Sequence, residues 1–586
     1  GDHALQVVDT PGHVDFVAEV ERCLRVIDGV VVLVDAVRGV ESQTRAVWRQ
    51  TVTAGLPRLV FINKLDRPGA AFDAVLDEVR EQLECTPVAM VLPLMDLEGQ
   101  FAGLGDALTG AVQWFEGRPD PSQVSALQAM LVAAHERLVE VAADHDREVM
   151  AAVVAGETPT ADRLRLALRS AFLAGEVVPV LSGAALYNRG VDWLLDAVVA
   201  FVPGVEDLAA RGLWAGQGAG DPAAPFCGFV FKVQHLDEVW NYVRVVRGRV
   251  IAGASLVRGQ KQGLGSVVVP ELWAMRADRH EVVASAGPGE IVVIPGDLGW
   301  RTGDTVCDPE HRIALPSPKF PAPVLAVTFE PDVAEHTSQV YAAVQEQAID
   351  DPTLRVSREH DRIVVRGMGE LHLEIVADTV RTRAGVDFRV SKPWVDRRES
   401  IRKPAAGSVE VRAMIGGVER AARCALSLKP VDGVEPATIR VVASGVMVAV
   451  AEAELRNLLA AGIRVGSLHG AELCLEVVES DSDAEALVEQ AASKALENAV
   501  EAAGLIELEP WVAFEVLTPA TSSAAVLADL GSRGGEVGNL TAGRTGAQLS
   551  GRAPLSRMIG YVTRLRSVTR GLGQVVMRPD GFAEVS

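Results

Sequence analysis

Three short apolar runs near the start of the chain each end in a polar turn, and this alternation constrains the fold more than any other feature of the 586 residues. Leu5-Gln6-Val7-Val8 predicts a strand running into Asp9-Thr10-Pro11-Gly12-His13, where Pro11-Gly12 forces a turn. Phe16, Val20, Leu24 and Ile27 then recur at helical spacing and predict a helix over 14–28. Val30-Val31-Val32-Leu33-Val34-Asp35 is apolar up to its final carboxylate, as expected of a parallel strand buried on both faces. A helix over 42–54 returns the chain to a third strand, 58–62, which ends in Asn63-Lys64-Leu65-Asp66. Strands that alternate with helices form an open parallel sheet, and such sheets bind ligands at the carboxyl ends of their strands.

Those strand ends carry specific chemistry. An Asp in the position of Asp9 can hold the water shell of a magnesium ion bridging nucleotide phosphates. An N-K-x-D sequence at a strand end can read guanine: the Asp accepts from the ring N–H and the exocyclic amine, while the Lys stem packs along the ring face. Alone, N-K-x-D occurs often by chance; following D-T-P-G-H in this order, one strand apart, it is a strong signal. The bland alternative makes Asp9, His13, Asn63 and Asp66 turn residues at strand ends.

The stretch from Val8 to Arg67, with Asp9-Thr10-Pro11-Gly12-His13-Val14-Asp15-Phe16, Glu19-Val20-Glu21-Arg22 and Val47-Trp48-Arg49-Gln50, resembles the elongation factor G family nearly residue for residue, and the similarity continues to the end of the chain. The resemblance implies a GTPase that uses GTP and Mg2+. Asp9 would belong to the magnesium shell through water, His13 would position the attacking water, and Asn63, Lys64 and Asp66 would select guanine, with Thr10, Pro11 and Gly12 in the same nucleotide-contacting turn. A further loop of the family reads Ser-Ala-Leu or Ser-Ala-Phe; here Ala184-Ala185-Leu186 follows Val178-Pro179-Val180-Leu181-Ser182-Gly183, so Ala184 replaces the Ser. That loop contacts the guanine oxygen mainly through backbone N–H groups, which the replacement keeps.

No G-x-x-x-x-G-K-[ST] phosphate cradle occurs in the 586 residues, and the chain opens without Met directly in a predicted strand. The expectation is a polypeptide truncated before its phosphate loop and, as it stands, a weak nucleotide binder.

At this length roughly four or five domains are expected. The expected fold is multidomain α/β and α+β: a partial P-loop GTPase domain over 1–210 with a largely helical insertion at about 90–174, a β-barrel over 222–312, a ferredoxin-like domain over 321–398, a ribosomal-protein-like α+β domain over 399–507, and a second ferredoxin-like domain over 508–586. Gly367-Met368-Gly369-Glu370-Leu371-His372 reads as a structural strand-to-helix turn with Glu370 near a helix start. The fourth domain departs from the family: its Gly-rich loop reads as shortened to Lys403-Pro404-Ala405-Ala406-Gly407-Ser408, and Glu479-Ser480-Asp481-Ser482-Asp483-Ala484-Glu485 makes an acidic tip, poorly suited to an RNA backbone.

A net charge of −22 argues against non-specific wrapping of nucleic acid. Local clusters such as Arg355, Arg358, Arg362 and Arg366, or Arg557, Arg564, Arg566 and Arg570, are either RNA-facing patches or solvated surface, and Arg533, Arg564 and Arg566 are the candidates for ribosomal RNA. The six cysteines form no C-x-x-C pair and no apolar run reaches membrane-spanning length, which suits a cytoplasmic protein. The resemblance implies a monomer working on the ribosome, in contact with rRNA of both subunits, ribosomal proteins and the tRNA–mRNA complex. Three activities stay open: translocation, ribosome recycling or ribosomal protection by a paralogue, and ribosome binding without catalysis.

Overall fold

The computed structural model of the chain describes residues 3–10, 17–96, 98–115, 121–207, 218–235, 238–259, 265–277, 279–316, 323–359, 362–395, 397–415, 418–431, 433, 435–445, 447–462, 464, 466–480, 484–543 and 546–585. The chain divides into two compact units, Gly1–Pro321 with Gln345–Pro352, and Ala322–Val344 with Thr353–Ser586.

The first unit is built on a four-stranded parallel sheet in the order Val30–Asp35, Arg58–Asn63, Val178–Ser182 and Pro87–Ala89. Leu59, Val60, Phe61 and Ile62 are buried, as two covered faces require. Val30–Asp35 departs from the expectation: among the described residues it is one of the two edge strands, and its Leu33 is 61% exposed. The strand expected over 5–8 does not form either. Leu5 and Val7 are exposed, and the side-chain amide of Gln6 exchanges two hydrogen bonds with the backbone of Ile291, donating to its carbonyl at 3.0 Å and accepting from its N–H at 2.8 Å. A strand needs a ladder partner, and here a side chain supplies the pairing that a neighbouring backbone would.

The insertion is less helical than its composition suggests. It opens with an antiparallel sheet of Val91–Met95, Phe101–Asp106 and Val112–Trp114 before the helices Pro121–His145, Arg147–Val154 and Ala161–Ala174. Leu104, Leu138, Leu164 and Phe172 join Phe61 in one continuous core, so the insertion is packed into the parallel sheet's own hydrophobic layer.

The first two of these helices are separated by a break at Asp146. Its backbone is extended (φ −138°, ψ 120°), and its Oδ1 accepts the N–H groups of Glu148 and Val149 at 2.9 and 3.0 Å, so it ends one helix and caps the next. Arg163 donates to both carboxylate oxygens at 2.6 Å. The Arg163 bond, set against a burial effect that pushes the other way, leaves the carboxyl below its ordinary value of 3.8, with the two N–H groups helping. A depressed carboxyl contributes stability above its unfolded value and loses it as pH falls through the folded one. Asp146→Ala is expected to destabilise the insertion by about 1 kcal/mol at neutral pH. In urea titrations the gap between wild type and variant stays constant down to about pH 5 and closes below the ordinary carboxyl value; a gap that persists in acid would contradict this account.

The rest of the first unit is an antiparallel barrel. Its eight-stranded sheet runs from Val267–Val268 through Cys227–His235, Val239–Arg247 and Ile291–Pro295 to Arg279–Val282. Arg244, nearly buried on a barrel strand, donates through Nη2 to both oxygens of Asp28, at 2.8 and 2.9 Å.

The second unit holds two sheets of the same topology. In one, Arg355–Glu359, Arg362–Gly367, Leu325–Pro331 and Phe388–Val390 lie side by side; in the other, Glu536–Gly543, Gly546–Pro554, Leu505–Thr518 and Gln574–Glu584 do. Both are the ferredoxin-like order, with the last strand beside the first. Glu370 opens the helix Glu370–Ala384, as its sequence position suggests, and its carboxylate also accepts the N–H of Gly560 at 2.7 Å, at the start of Tyr561–Val568. Between the two in the sequence comes a sheet of Ala405–Ile415, Val418–Pro430, Ala471–Ser480 and Thr438–Val441. Residues 405–408 are thus strand and not a shortened loop, and Ile415 pairs with Val418 at the far end of the same hairpin. The helix Glu485–Ala503 packs on this sheet through the buried Ala491, Ala492, Ala495 and Ala499. The approach is so close that a Cβ on Gly407 would lie 2.0 Å from the carbonyl oxygen of Ala495.

Candidate functional site

The carboxyl ends of the parallel strands bring the sequence motifs together. Register alone puts Asp35 beside Asn63 and Ile62 beside Ser182. Asn63 then ties the two candidate guanine loops to each other: its Oδ1 accepts the N–H of Lys64 at 2.8 Å and the N–H of Ala185 at 2.9 Å. Two main-chain bonds complete the seam, from Gly183 N–H to the Ile62 carbonyl (3.0 Å) and from Leu65 N–H to the Gly183 carbonyl (3.2 Å). A side chain at 183 would strike the Phe61 ring, 2.6 Å from an added Cβ, so only Gly lets the second loop lie down on the first.

Within this frame Leu65 is buried and anchors the loop, whereas Asp66 is half-buried and Lys64 exposed. No side-chain hydrogen bond or ion pair to Asp66 occurs among the described residues. Its carboxylate is therefore an acceptor pair that none of them claims. Ala184 is buried and heads the 3₁₀ turn Ala185–Tyr187; its N–H goes to the Arg189 carbonyl at 3.0 Å. A hydroxyl at 184 is not needed for this loop geometry, which main-chain bonds hold by themselves. Leu186 is exposed at the turn's surface.

Asp9 is exposed and Thr10 half-buried at the end of the extended segment 3–10. Pro11, Gly12 and His13 lie outside the described residues. Among the described residues no group of three His, Cys, Asp or Glu side chains could enclose a metal ion. A lone exposed carboxylate suits magnesium, which keeps several waters and takes most of its remaining ligands from nucleotide phosphates.

Asp35 is the residue that reading the sequence missed. It appears there as a strand end without a role, yet its Oδ2 accepts from Lys64 Nζ at 2.7 Å. The available signal was that both adjacent strands end in polar residues; their register could not be known without the sheet.

Four family models match successive parts of the chain: the elongation factor Tu GTP binding domain over residues 1–204, elongation factor G domain 2 over 225–309, elongation factor G domain III over 320–392, and the elongation factor G C-terminus over 506–586. A curated relative, elongation factor G 2 of Geobacter metallireducens, is 35% identical over 99% of this chain and 87% of its own length. The chain belongs to the elongation factor G family. It is thereby a member of the translational GTPases, whose nucleotide domain binds guanine nucleotide and which act on the ribosome. A crystal structure from Thermus thermophilus has the same fold, with a TM-score of 0.65 at 24% identity over 98% of this chain and 86% of that one.

For this elongation factor G family member the arginine clusters resolve unevenly. Of the first cluster Arg362 pairs with Glu330, and further along the same domain Arg389 pairs with Asp332 and Arg381 with both Asp378 and Asp387, so these cations are neutralised by neighbouring acids. In the last domain Arg533 is held by Asp529 at 3.2 Å, donates to the Arg557 carbonyl at 2.5 Å and lies over the Tyr561 ring. Arg564 shares Asp529 at 3.2 Å. Arg533 is thus committed to its own domain, while Arg566, in the last turn of Tyr561–Val568, makes no ion pair among the described residues. No helix among the described residues is long and apolar enough to cross a membrane.

Proposed function

We propose that the protein is a ribosome-dependent GTPase that couples GTP hydrolysis to movement of tRNA and mRNA. The observation that carries this reading is the seam at Asn63, which joins the N-K-x-D loop to the 184–186 loop and leaves the Asp66 carboxylate open to a base. In this reading Asp66 accepts from the ring N–H and the exocyclic amine of guanine, Lys64 covers the ring, and the loop of Ala184, Ala185 and Leu186 lies at the guanine oxygen, which would share the Ala185 N–H with Asn63 Oδ1. His13 positions the attacking water, with Thr10, Pro11 and Gly12 beside it in the sequence contacting the nucleotide. Asp9 would hold Mg2+ through a water molecule; the ion, when bound, neutralises charge on the phosphates. The partners would be rRNA of both subunits, ribosomal proteins and the tRNA–mRNA complex, met by a monomer with the domain limits set out above, in the cytoplasm.

A second reading keeps the GTPase and changes the task to ribosome recycling or protection. It is favoured by the domain between the two ferredoxin-like sheets, where Arg412 pairs with Glu410 at 2.7 Å, Arg423 with Glu479 at 3.6 Å and Arg440 with Glu472 at 4.0 Å. Cations spent on internal carboxylates are not available to an RNA backbone. The deciding experiment measures GTP turnover by the full-length protein with and without ribosomes, together with single-turnover translocation. Ribosome-stimulated turnover with translocation supports the first reading, and stimulated turnover without translocation selects the second. No turnover in any condition leaves a ribosome-binding protein without catalysis.

A further inference from the structure

Asp35 divides its two carboxylate oxygens between two tasks. Oδ1 accepts the N–H groups of Val37 and Arg38 at 2.8 and 3.2 Å, closing the turn after its strand, which the bond from Gly39 N–H to the Asp35 carbonyl at 2.8 Å completes. Oδ2 faces the next strand end and takes the ammonium of Lys64 at 2.7 Å. Lys64 itself has a left-handed backbone, φ 67°, which is costly for a residue with a side chain. Such a conformation persists only where the surroundings over-determine it. Here they do so from both ends, since Asn63 Oδ1 holds the Lys64 N–H and Asp35 Oδ2 holds its Nζ.

We propose that Asp35 is a positioning residue for nucleotide binding, tethering the Lys64 ammonium so that the aliphatic stem stands as a preformed wall for the purine ring. The proposal rests on the guanine-site reading given above. A free Lys side chain samples many rotamers, and ordering a long side chain only on binding costs affinity. Tethering it beforehand removes that cost. The Asp35 side chain is 17% exposed and that of Lys64 48%, and a pair this open adds little to folding stability, so its effect belongs in affinity and not in Tm. Burial pushes the Asp35 carboxyl up, but the bonds from Lys64, Val37 and Arg38 outweigh it and leave the group below its ordinary value, so the tether stays charged at neutral pH.

Asp35→Asn separates the two tasks: the amide oxygen can still close the turn, while the amide NH2 opposite Lys64 offers no acceptor. The test measures affinities of the full-length protein for GDP and IDP, with Tm alongside, for wild type, Asp35→Asn, Lys64→Met, the double variant and Asp66→Ala. Asp35→Asn is expected to weaken both nucleotides about 3- to 10-fold, the loss for one side chain left to be ordered on binding. The GDP-to-IDP ratio should hold, because Asp66 and not Lys64 reads the exocyclic amine, and Tm should not move. In the Lys64→Met background the same change should have no further effect. Unchanged affinity in Asp35→Asn, while Asp66→Ala weakens GDP, would overturn the tether and leave the guanine site standing. An equal loss in the Lys64→Met background would assign Asp35 to its turn alone. If Asp66→Ala leaves GDP affinity intact, the guanine site itself is wrong and the tether falls with it.

Discussion

Asp66→Asn is expected to weaken GTP binding by about 10²- to 10³-fold and to shift preference towards xanthine nucleotides. Hydrogen bonds to a charged group contribute about 1.5–3 kcal/mol each, and guanine offers this carboxylate two donors on one edge. Even the lower figure, taken twice, is worth about 10²-fold. An Asn keeps one acceptor and turns an NH2 towards the exocyclic amine, donor against donor; xanthine has a carbonyl there that can accept it. The loop should survive the change, because its anchors are the buried Leu65, the Leu65 N–H bond to Gly183 and the two bonds at Asn63, none of which uses the Asp66 side chain. Competition between GTP and XTP for the full-length protein gives the answer directly. An unchanged ratio would mean that the open carboxylate does not face the base.

His13→Ala is expected to lower ribosome-stimulated GTP turnover by about 10²- to 10⁴-fold, the range for losing a side chain that handles the reacting proton or water. Nucleotide affinity should stay near wild type, since the groups proposed to read the base, Asn63, Lys64 and Asp66, lie at the end of Arg58–Asn63 and not in the D-T-P-G-H sequence. The check pairs single-turnover hydrolysis on ribosomes with equilibrium GDP binding. Loss of rate at constant affinity identifies a group used only in the transition state. Equal loss of both would make His13 a structural turn residue, and no loss of rate would remove it from the chemistry.

Much of the framework of the candidate nucleotide site was legible because its parts are local. The strand Arg58–Asn63 is an apolar run with a polar stop, and a motif attached to such a stop has its position in the fold assigned with it. The ferredoxin-like sheets were legible for a similar reason, since their order of elements admits few packings. Where the reading failed, the cause was a partner elsewhere in the chain. Residues 5–8 have strand composition, yet Gln6 bonds to Ile291, 285 positions away. Residues 405–408 look like loop by their small side chains, yet those small side chains let Glu485–Ala503 press onto a strand. In the insertion, Pro93 within Val91–Met95 and Gly103 and Gly105 within Phe101–Asp106 disguised two strands whose ladder supplies what their propensities lack.

The sequence by itself determined which chemistry is present: the order of strand, turn and helix, the carboxylates and amides at the strand ends, and the kinship those motifs express. These depend on covalent neighbours and on periodicity, which a linear text records. Only the tertiary structure decided which of those groups meet. The parallel register set Asp35 beside Asn63, the Asn63 side chain closed its own loop on Ala185, 122 positions away, and Asp529 drew Arg533 and Arg564 back into their own domain. Such meetings are fixed by packing between segments far apart in the chain, where a shift of one residue in register would send each strand-end side chain to the opposite face of the sheet.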